Sequence, residues 1–254
     1  MDNGKNLPAL IAVMRRLLGP DGCPWDRAQT LESLRPFVVE EAFEVVDAID
    51  RGEPAALKEE LGDLLFQVVF QSELAAAKGW FELDDVIDAI CAKMIRRHPW
   101  VFGDAPKEDG LSSERWEAMK AKEKRSAGVL GGVPLALPAL LRATRVSEKA
   151  AAVGFDWQDA SGARAKIDEE LREVDEAETP RELEHEIGDL LFAVTSFARH
   201  RGVDPEAALR GTIERFTKRF RSMELSVEAR GEALKDLDDA GLDREWDAAK
   251  KRVG

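Results

Sequence analysis

The chain has 254 residues, 44% hydrophobic and 34% charged, with a formal net charge of -13. Such a composition describes a globular protein able to bury a core, and no apolar run approaches the roughly 18 residues of a membrane span. The excess of acid argues against a broad nucleic-acid or membrane surface, since phosphate backbones attract cationic faces.

Strand signals are nearly absent, while helical-period apolar stripes with start and stop signals recur throughout, so the expected fold class is all-α. In chain order, helices are expected over Leu7 to Leu18, Leu31 to Arg51, Pro54 to Lys78, Asp84 to Arg97 and Ser113 to Lys124. The Gly- and Pro-rich stretch SAGVLGGVPLALP, from Ser126 to Pro138, breaks the pattern. Helices resume near Pro138 to Ala152, Ser161 to Glu178, Pro180 to Arg201, Pro205 to Ser226 and Leu242 to Arg252. TPRE at Thr179 is a capping box with Pro at the first helical position. The start, MDNGKNLPALIAVMRRLLGP, puts its positive charges after the apolar run, unlike a secretory signal, and a cytoplasmic address is expected. Cys23 and Cys91 form no C-x-x-C pair, so neither a disulfide framework nor a structural zinc site is indicated.

The two halves repeat each other. LPAL at Leu7 returns at Leu137, and GCPW ending at Trp25 is echoed by GFDW ending at Trp157. EEAFE at Glu40 matches EELRE at Glu169, and ELGDLLF at Glu60 matches EIGDLLF at Glu186. Lys93 and Arg97 match Arg215 and Arg219, and Trp116 with Lys120 matches Trp246 with Lys250. A tandem duplication explains these pairs, with insertions and deletions falling in the loops. The expected organisation is one helical domain over 1–125, a linker over 126–136 and a second domain over 137–254.

On a helix, positions 40, 41 and 44 fall within about 100° of arc and positions 60 and 63 about 60° apart, so each set shares a face. Acids at that spacing are usually a solvated surface. Here, however, Asp63 and Asp189 are lone carboxylates inside apolar stretches, expected to be half-buried and in need of a partner. Like charges at helical spacing also destabilise a helix, which a bound cation would reverse. Oxygen donors with no nearby thiol favour a hard ion, Mg²⁺ first and Mn²⁺ second. His98, His185 and His200 are expected to be surface or core residues rather than ligands. Gly62 and Gly188 sit in mid-helix, where a close helix-helix approach beside the acids would justify the cost of about 1 kcal/mol.

The paired cations Lys93/Arg97 and Arg215/Arg219 point to phosphate recognition, because the second pair lies well inside a helix, where dipole compensation does not explain it. Trp116/Lys120 and Trp246/Lys250 each offer an aromatic plane beside a cation, suited to a base or ribose next to a phosphate. No G-x-x-x-x-G-K-[ST] loop is present, so metal and side-chain cations must hold any triphosphate.

These residues together, E-E-x-x-E, then E-x-x-D within GDLLF, then a basic pair and W-x-x-x-K, resemble the MazG-type nucleoside triphosphate pyrophosphohydrolases. RRHPWVFGD, WEAMKAKEK and KAAAVGFDW are similar to the tandem-domain members, and the likeness spans nearly the whole chain. The resemblance implies two tandem four-helix-bundle-type domains in an all-α homodimer that hydrolyses (d)NTP to (d)NMP and pyrophosphate with Mg²⁺. It puts metal ligands on Glu41, Glu44, Glu60 and Asp63 in the first half and on Glu170, Glu173, Glu186 and Asp189 in the second. The second half departs by carrying Arg215 in place of Lys93 and by a shorter gap between its two acid motifs.

The expected reaction is attack of a metal-activated water on the α-phosphorus, with Glu40 or Glu169 as base or as orienter of the water. Lys93, Arg97, Lys120, Arg215, Arg219 and Lys250 would neutralise the triphosphate, and Trp116 or Trp246 would stack on the nucleoside. House-cleaning of nucleotide pools is the expected role. Two other readings use the same residues: a hydrolase of an alarmone or modified nucleotide, and a helical interaction protein whose acidic faces bind metal without turnover.

Overall fold

The computed structural model describes residues 6–103 and 128–254, and among these every regular element is a helix and none is a strand. The chain divides into two compact units, Met1–Glu108 and Asp109–Gly254.

In the first unit, α1 (Leu7–Leu18) starts at Asn6, whose side chain accepts from the Ala9 N–H at 3.0 Å, with Pro8 in the first turn where its missing N–H costs nothing. A one-turn helix α2 (Pro24–Arg27) precedes α3 (Arg35–Arg51). The expected start of α3 at Leu31 is corrected by local hydroxyl chemistry. Ser33 Oγ accepts from the Thr30 N–H (2.9 Å) and Thr30 Oγ1 from the Ser33 N–H (3.1 Å), which holds the segment as a turn until Arg35. Gly52, at φ 66°, closes α3 in the left-handed conformation that a side chain would resist, and α4 (Pro54–Ala77) returns antiparallel against α3. α5 (Leu83–Arg97) opens with a Glu82/Asp85 capping box, and the single turn α6 (Pro99–Phe102) follows. Met14, Leu34, Val69, Phe70 and Leu83 form the buried core, which packs α1 and α5 against α4.

The second unit repeats the plan. A turn-rich stretch over 128–138 leads to α7 (Ala139–Ala151), then α8 (Ala160–Glu176), α9 (Pro180–His200), α10 (Pro205–Glu228), a 3-10 turn at Leu234–Asp236 and α11 (Asp239–Val253). The Thr179 capping box is present: Thr179 Oγ1 accepts from the Glu182 N–H at 3.2 Å and Glu182 Oε2 from the Thr179 N–H at 3.1 Å. α8 and α9 make the most extensive packing in the unit, α7 lies on α9, and α10 pairs with α11. The α3–α4 and α8–α9 hairpins are the duplicated feature.

The two echoed tryptophans serve the entry to these hairpins. Trp25 packs edge-on to Phe37 of α3 with centroids 5.9 Å apart. Trp157 lies over Gly162 so closely that a Cβ there would meet its Cδ1 at 2.5 Å, which explains the glycine in the first turn of α8. Asp156 Oδ1 accepts from Arg199 Nη2 (2.5 Å) and lies 3.0 Å from His200 Nε2, clamping this loop to the end of α9. Burial opposes ionisation of Asp156, but the hydrogen bonds from Arg199 and His200 outweigh it and hold the carboxyl below the ordinary aspartate range. At Gly62 and Gly188, by contrast, an added Cβ would meet nothing within 4 Å, so close helix approach is not what these glycines provide.

Candidate metal centre

In the first unit Glu41 and Glu44 stand one turn apart on α3, facing Glu60 and Asp63, which stand one turn apart on α4. One carboxylate oxygen each of Glu41, Glu60 and Asp63 falls within 4.8 Å of the others. Glu44 adjoins them, since its charge acts on both Glu41 and Glu60. Burial first, then the charges of Asp63 and Glu44, push the Glu41 carboxyl up; burial, Glu44, Glu59 and Asp63 do the same to Glu60. Acids held this way take up either protons or a cation. Asp63 itself is exposed, not half-buried as its apolar surroundings suggested, because Leu61 and Leu65 beside it are exposed at 49% and 45%.

In the second unit α8 and α9 bring together Glu170, Glu173 and Glu186, again within 4.8 Å. Glu170 is the buried member, at 2% exposure. Its Oε1 lies 2.5 Å from Lys166 Nζ, while its Oε2 is buried with no hydrogen-bond partner. A buried carboxylate oxygen without a partner is costly and marks a place for a ligand. A hydrogen bond that Glu173 donates to Glu170 only when protonated comes first among the causes that push the Glu173 carboxyl up, followed by burial; with both acids ionised neither has a hydrogen to share. Asp189 is brought not into this trio but into a second group sharing Glu186, in which His185 Nδ1 lies 3.3 Å from both Glu186 Oε1 and Asp189 Oδ2. His185 is exposed, as expected of a surface histidine, yet it stands at the edge of the acids.

Glu40 and Glu169, the predicted bases, flank the clusters without belonging to the close trios. Glu40 adds its charge to Glu41. Glu169 Oε1 accepts from Lys166 Nζ at 2.8 Å, which lowers the Glu169 carboxyl below the ordinary range and keeps it ionised. Lys166, bonded first to Glu169 and then to Glu170, is raised well above the usual lysine range. Sequence reasoning passed over Lys166, although its i+3 and i+4 spacing to the two glutamates is a readable ion-pair signal.

Of the predicted phosphate and nucleoside contacts, Lys93 and Arg97 lie half-buried near the end of α5. Arg215 on α10 donates to Thr212 Oγ1 (2.9 Å), and Arg219 donates to the Gly254 carbonyl (2.9 Å), tying α10 to the end of α11. Trp246 meets Phe216 with centroids 5.1 Å apart, and Lys250 pairs with Asp247 at 2.9 Å. These four therefore gather on the α10–α11 pair. Trp116 and Lys120, with the expected helix from Ser113 to Lys124, fall outside the described residues.

The donor set suits a hard divalent ion: carboxylate oxygens on two facing helices, one of them buried and without a partner, with Cys23 and Cys91 in neither cluster. Paired acid-bearing helical hairpins of this kind suit a protein that acts on a phosphate-bearing ligand through a bound cation. Residues 29–102 match the MazG nucleotide pyrophosphohydrolase domain, and residues 144–215 match phosphoribosyl-ATP pyrophosphohydrolase. The nucleoside triphosphate pyrophosphohydrolase/pyrophosphatase MazG of Thermotoga maritima is 46% identical over 243 residues, covering 95% of this chain and 94% of the relative. The nucleoside triphosphate pyrophosphohydrolase of Escherichia coli K12 is 41% identical over 259 residues, covering 96% of each. An uncharacterized protein of Bacillus subtilis, YabN, is 40% identical across 94% of this chain but only 50% of its own length. The chain belongs to the MazG family of nucleoside triphosphate pyrophosphohydrolases.

Proposed function

We propose that this protein is a Mg²⁺-dependent hydrolase that converts nucleoside and deoxynucleoside triphosphates to the monophosphate and pyrophosphate by attack of water on the α-phosphorus. The observation that carries the reading is the facing of carboxylates across both hairpins, with Glu170 Oε2 buried and unpartnered. Glu41, Glu44, Glu60 and Asp63 would hold the ion in the first half, and Glu170, Glu173, Glu186 and Asp189 in the second. Mg²⁺, or Mn²⁺ in its place, would offset the negative charge of the phosphate oxygens and make a bound water more acidic.

The chain's own groups do the rest. Glu169, held ionised by Lys166, is able to orient the water or accept its proton, and Glu40 occupies the matching position in the first half. Arg215, Arg219 and Lys250, with Lys93, Arg97 and Lys120 as counterparts, would offset the negative charge that builds on the departing pyrophosphate. Trp246 and Trp116 would stack on the nucleoside. Homodimerisation fits the row Leu209, Ile213, Phe216 and Phe220 on α10, which is exposed at 48%, 55%, 55% and 39% and spaced as a helical stripe. Among the described residues no helix is long and apolar enough to cross a membrane. Nucleotide-pool house-cleaning is the role that fits hydrolysis of nucleoside triphosphates.

The test is incubation with each NTP and dNTP, with and without Mg²⁺, resolving monophosphate plus pyrophosphate from diphosphate plus phosphate. Metal-dependent release of the first pair is expected. Diphosphate and phosphate would contradict α-phosphorus chemistry, and no release with any nucleotide would favour a metal-binding interaction protein.

A further inference from the structure

The two acid clusters differ in the residue one turn before their matching acids Glu41 and Glu170. In the second, Lys166 stands one turn before Glu170 on α8, its Nζ 2.5 Å from Glu170 Oε1 and 2.8 Å from Glu169 Oε1. In the first, the residue one turn before Glu41 is Phe37, which packs against the buried core and meets Trp25 edge-on. The duplicated hairpin therefore carries a cation in one copy and an aromatic ring in the other. Glu170 is also the residue whose second oxygen is buried and unpartnered, so the ligand-facing edge and the lysine-facing edge belong to the same carboxylate.

We infer that Lys166 is a resident counter-cation of the second cluster, which neutralises part of its charge and sets its affinity for a divalent ion below what its carboxylates alone would give. The inference rests on the metal reading above. An ion entering at the Oε2 edge meets a fixed positive charge across one carboxyl group. A single charge opposing a double one at roughly 5 Å lowers affinity by at least about tenfold even with water-like screening. The lysine in return satisfies Glu170 when no ion is bound, which lets this carboxylate be buried at 2% exposure without an ion. At the matching place in the first cluster Phe37 carries no charge, and the cation felt there is Arg51, whose charge acts on Glu60 rather than on Glu41.

The experiment is a calorimetric titration of the full chain with Mn²⁺ in the absence of nucleotide. The first cluster is silenced by Glu41→Gln with Glu60→Gln, and Lys166 is kept or replaced by Met, Gln or Arg. Circular dichroism checks that helicity is retained. Lys166→Met and Lys166→Gln are expected to tighten Mn²⁺ binding at the second cluster by about tenfold or more, Lys166→Arg to leave it near the starting value, and a further Glu170→Gln to remove it. The two neutral variants serve each other as a safeguard should one fold poorly. Binding that is unchanged or weaker in both overturns the role of Lys166 while leaving the metal reading intact. Absence of Mn²⁺ binding to the unmodified chain and to every variant overturns the metal reading and this inference with it.

Discussion

Replacing Phe70 by alanine tests whether the α3–α4 acids depend on the core beneath them. Phe70 is 1% exposed on α4, packs edge-on to Phe66 with centroids 5.8 Å apart, and touches the cluster of Met14, Leu34, Val69 and Leu83. Losing the buried ring forfeits about 3 kcal/mol of transfer free energy. The cavity adds to this, because the neighbours sit on separate helices that cannot all collapse into the space, so the total falls in the upper part of the ~3–5 kcal/mol seen for such deletions. For a unit of this size each kcal/mol lowers the midpoint by roughly 4–8 °C, so the first unit's thermal transition should fall by about 15 °C or more. Hydrogen exchange resolved by peptide reads the two units separately. Loss of protection over Pro54–Ala77, with α8 and α9 unchanged, is expected. A destabilisation below about 1 kcal/mol would refute the claim that this core fixes α4.

Further outcomes follow from the same geometry. Glu173→Gln should abolish turnover by the second half and Glu44→Gln that by the first without loss of helicity; a double variant with full activity in steady-state assays would remove these acids from the mechanism. Asp156→Ala leaves Arg199 and His200 without their shared acceptor and should cost about 2–3 kcal/mol, measured by urea denaturation. Because the Asp156 carboxyl is depressed in the folded state, its contribution is present above the unfolded aspartate value and is lost as pH falls through the folded one. Glu41 and Glu60 behave oppositely: their folded values are raised, so metal-free stability should fall as pH rises through the window just above the ordinary glutamate range. Stabilisation by added Mg²⁺ should grow over that same window in thermal melts, and a pH-independent metal effect would count against these acids as ligands.

Much of this molecule was legible before folding was considered, because its helices are punctuated by residues with one conformational meaning. Pro8, Pro54, Pro180 and Pro205 sit in first turns, Gly52 and Gly79 follow the ends of helices, and Thr179 with Glu182 closes a capping box. The acid motifs were legible for a different reason: helical spacing within each helix, and repetition of the whole pattern, put Glu41 with Glu44 and Glu60 with Asp63 without knowledge of the fold. What failed depends on neighbours that periodicity does not name. The one-turn helices α2 and α6 are too short to show a period, and the Thr30/Ser33 turn displaced the start of α3 through side-chain hydrogen bonds. Burial was misassigned between the acids, since Glu170 rather than Asp63 or Asp189 lies inside. Which carboxylate is buried depends on the facing helix, and that is a tertiary property.

The most direct test of α-phosphorus chemistry is hydrolysis of a nucleoside triphosphate in water enriched in the heavy oxygen isotope, with mass spectrometry of both products. Attack at the α-phosphorus predicts the label in the monophosphate and none in the pyrophosphate. Label in pyrophosphate, or in inorganic phosphate, would mean that water attacks elsewhere along the chain of phosphates and would contradict the proposed reaction.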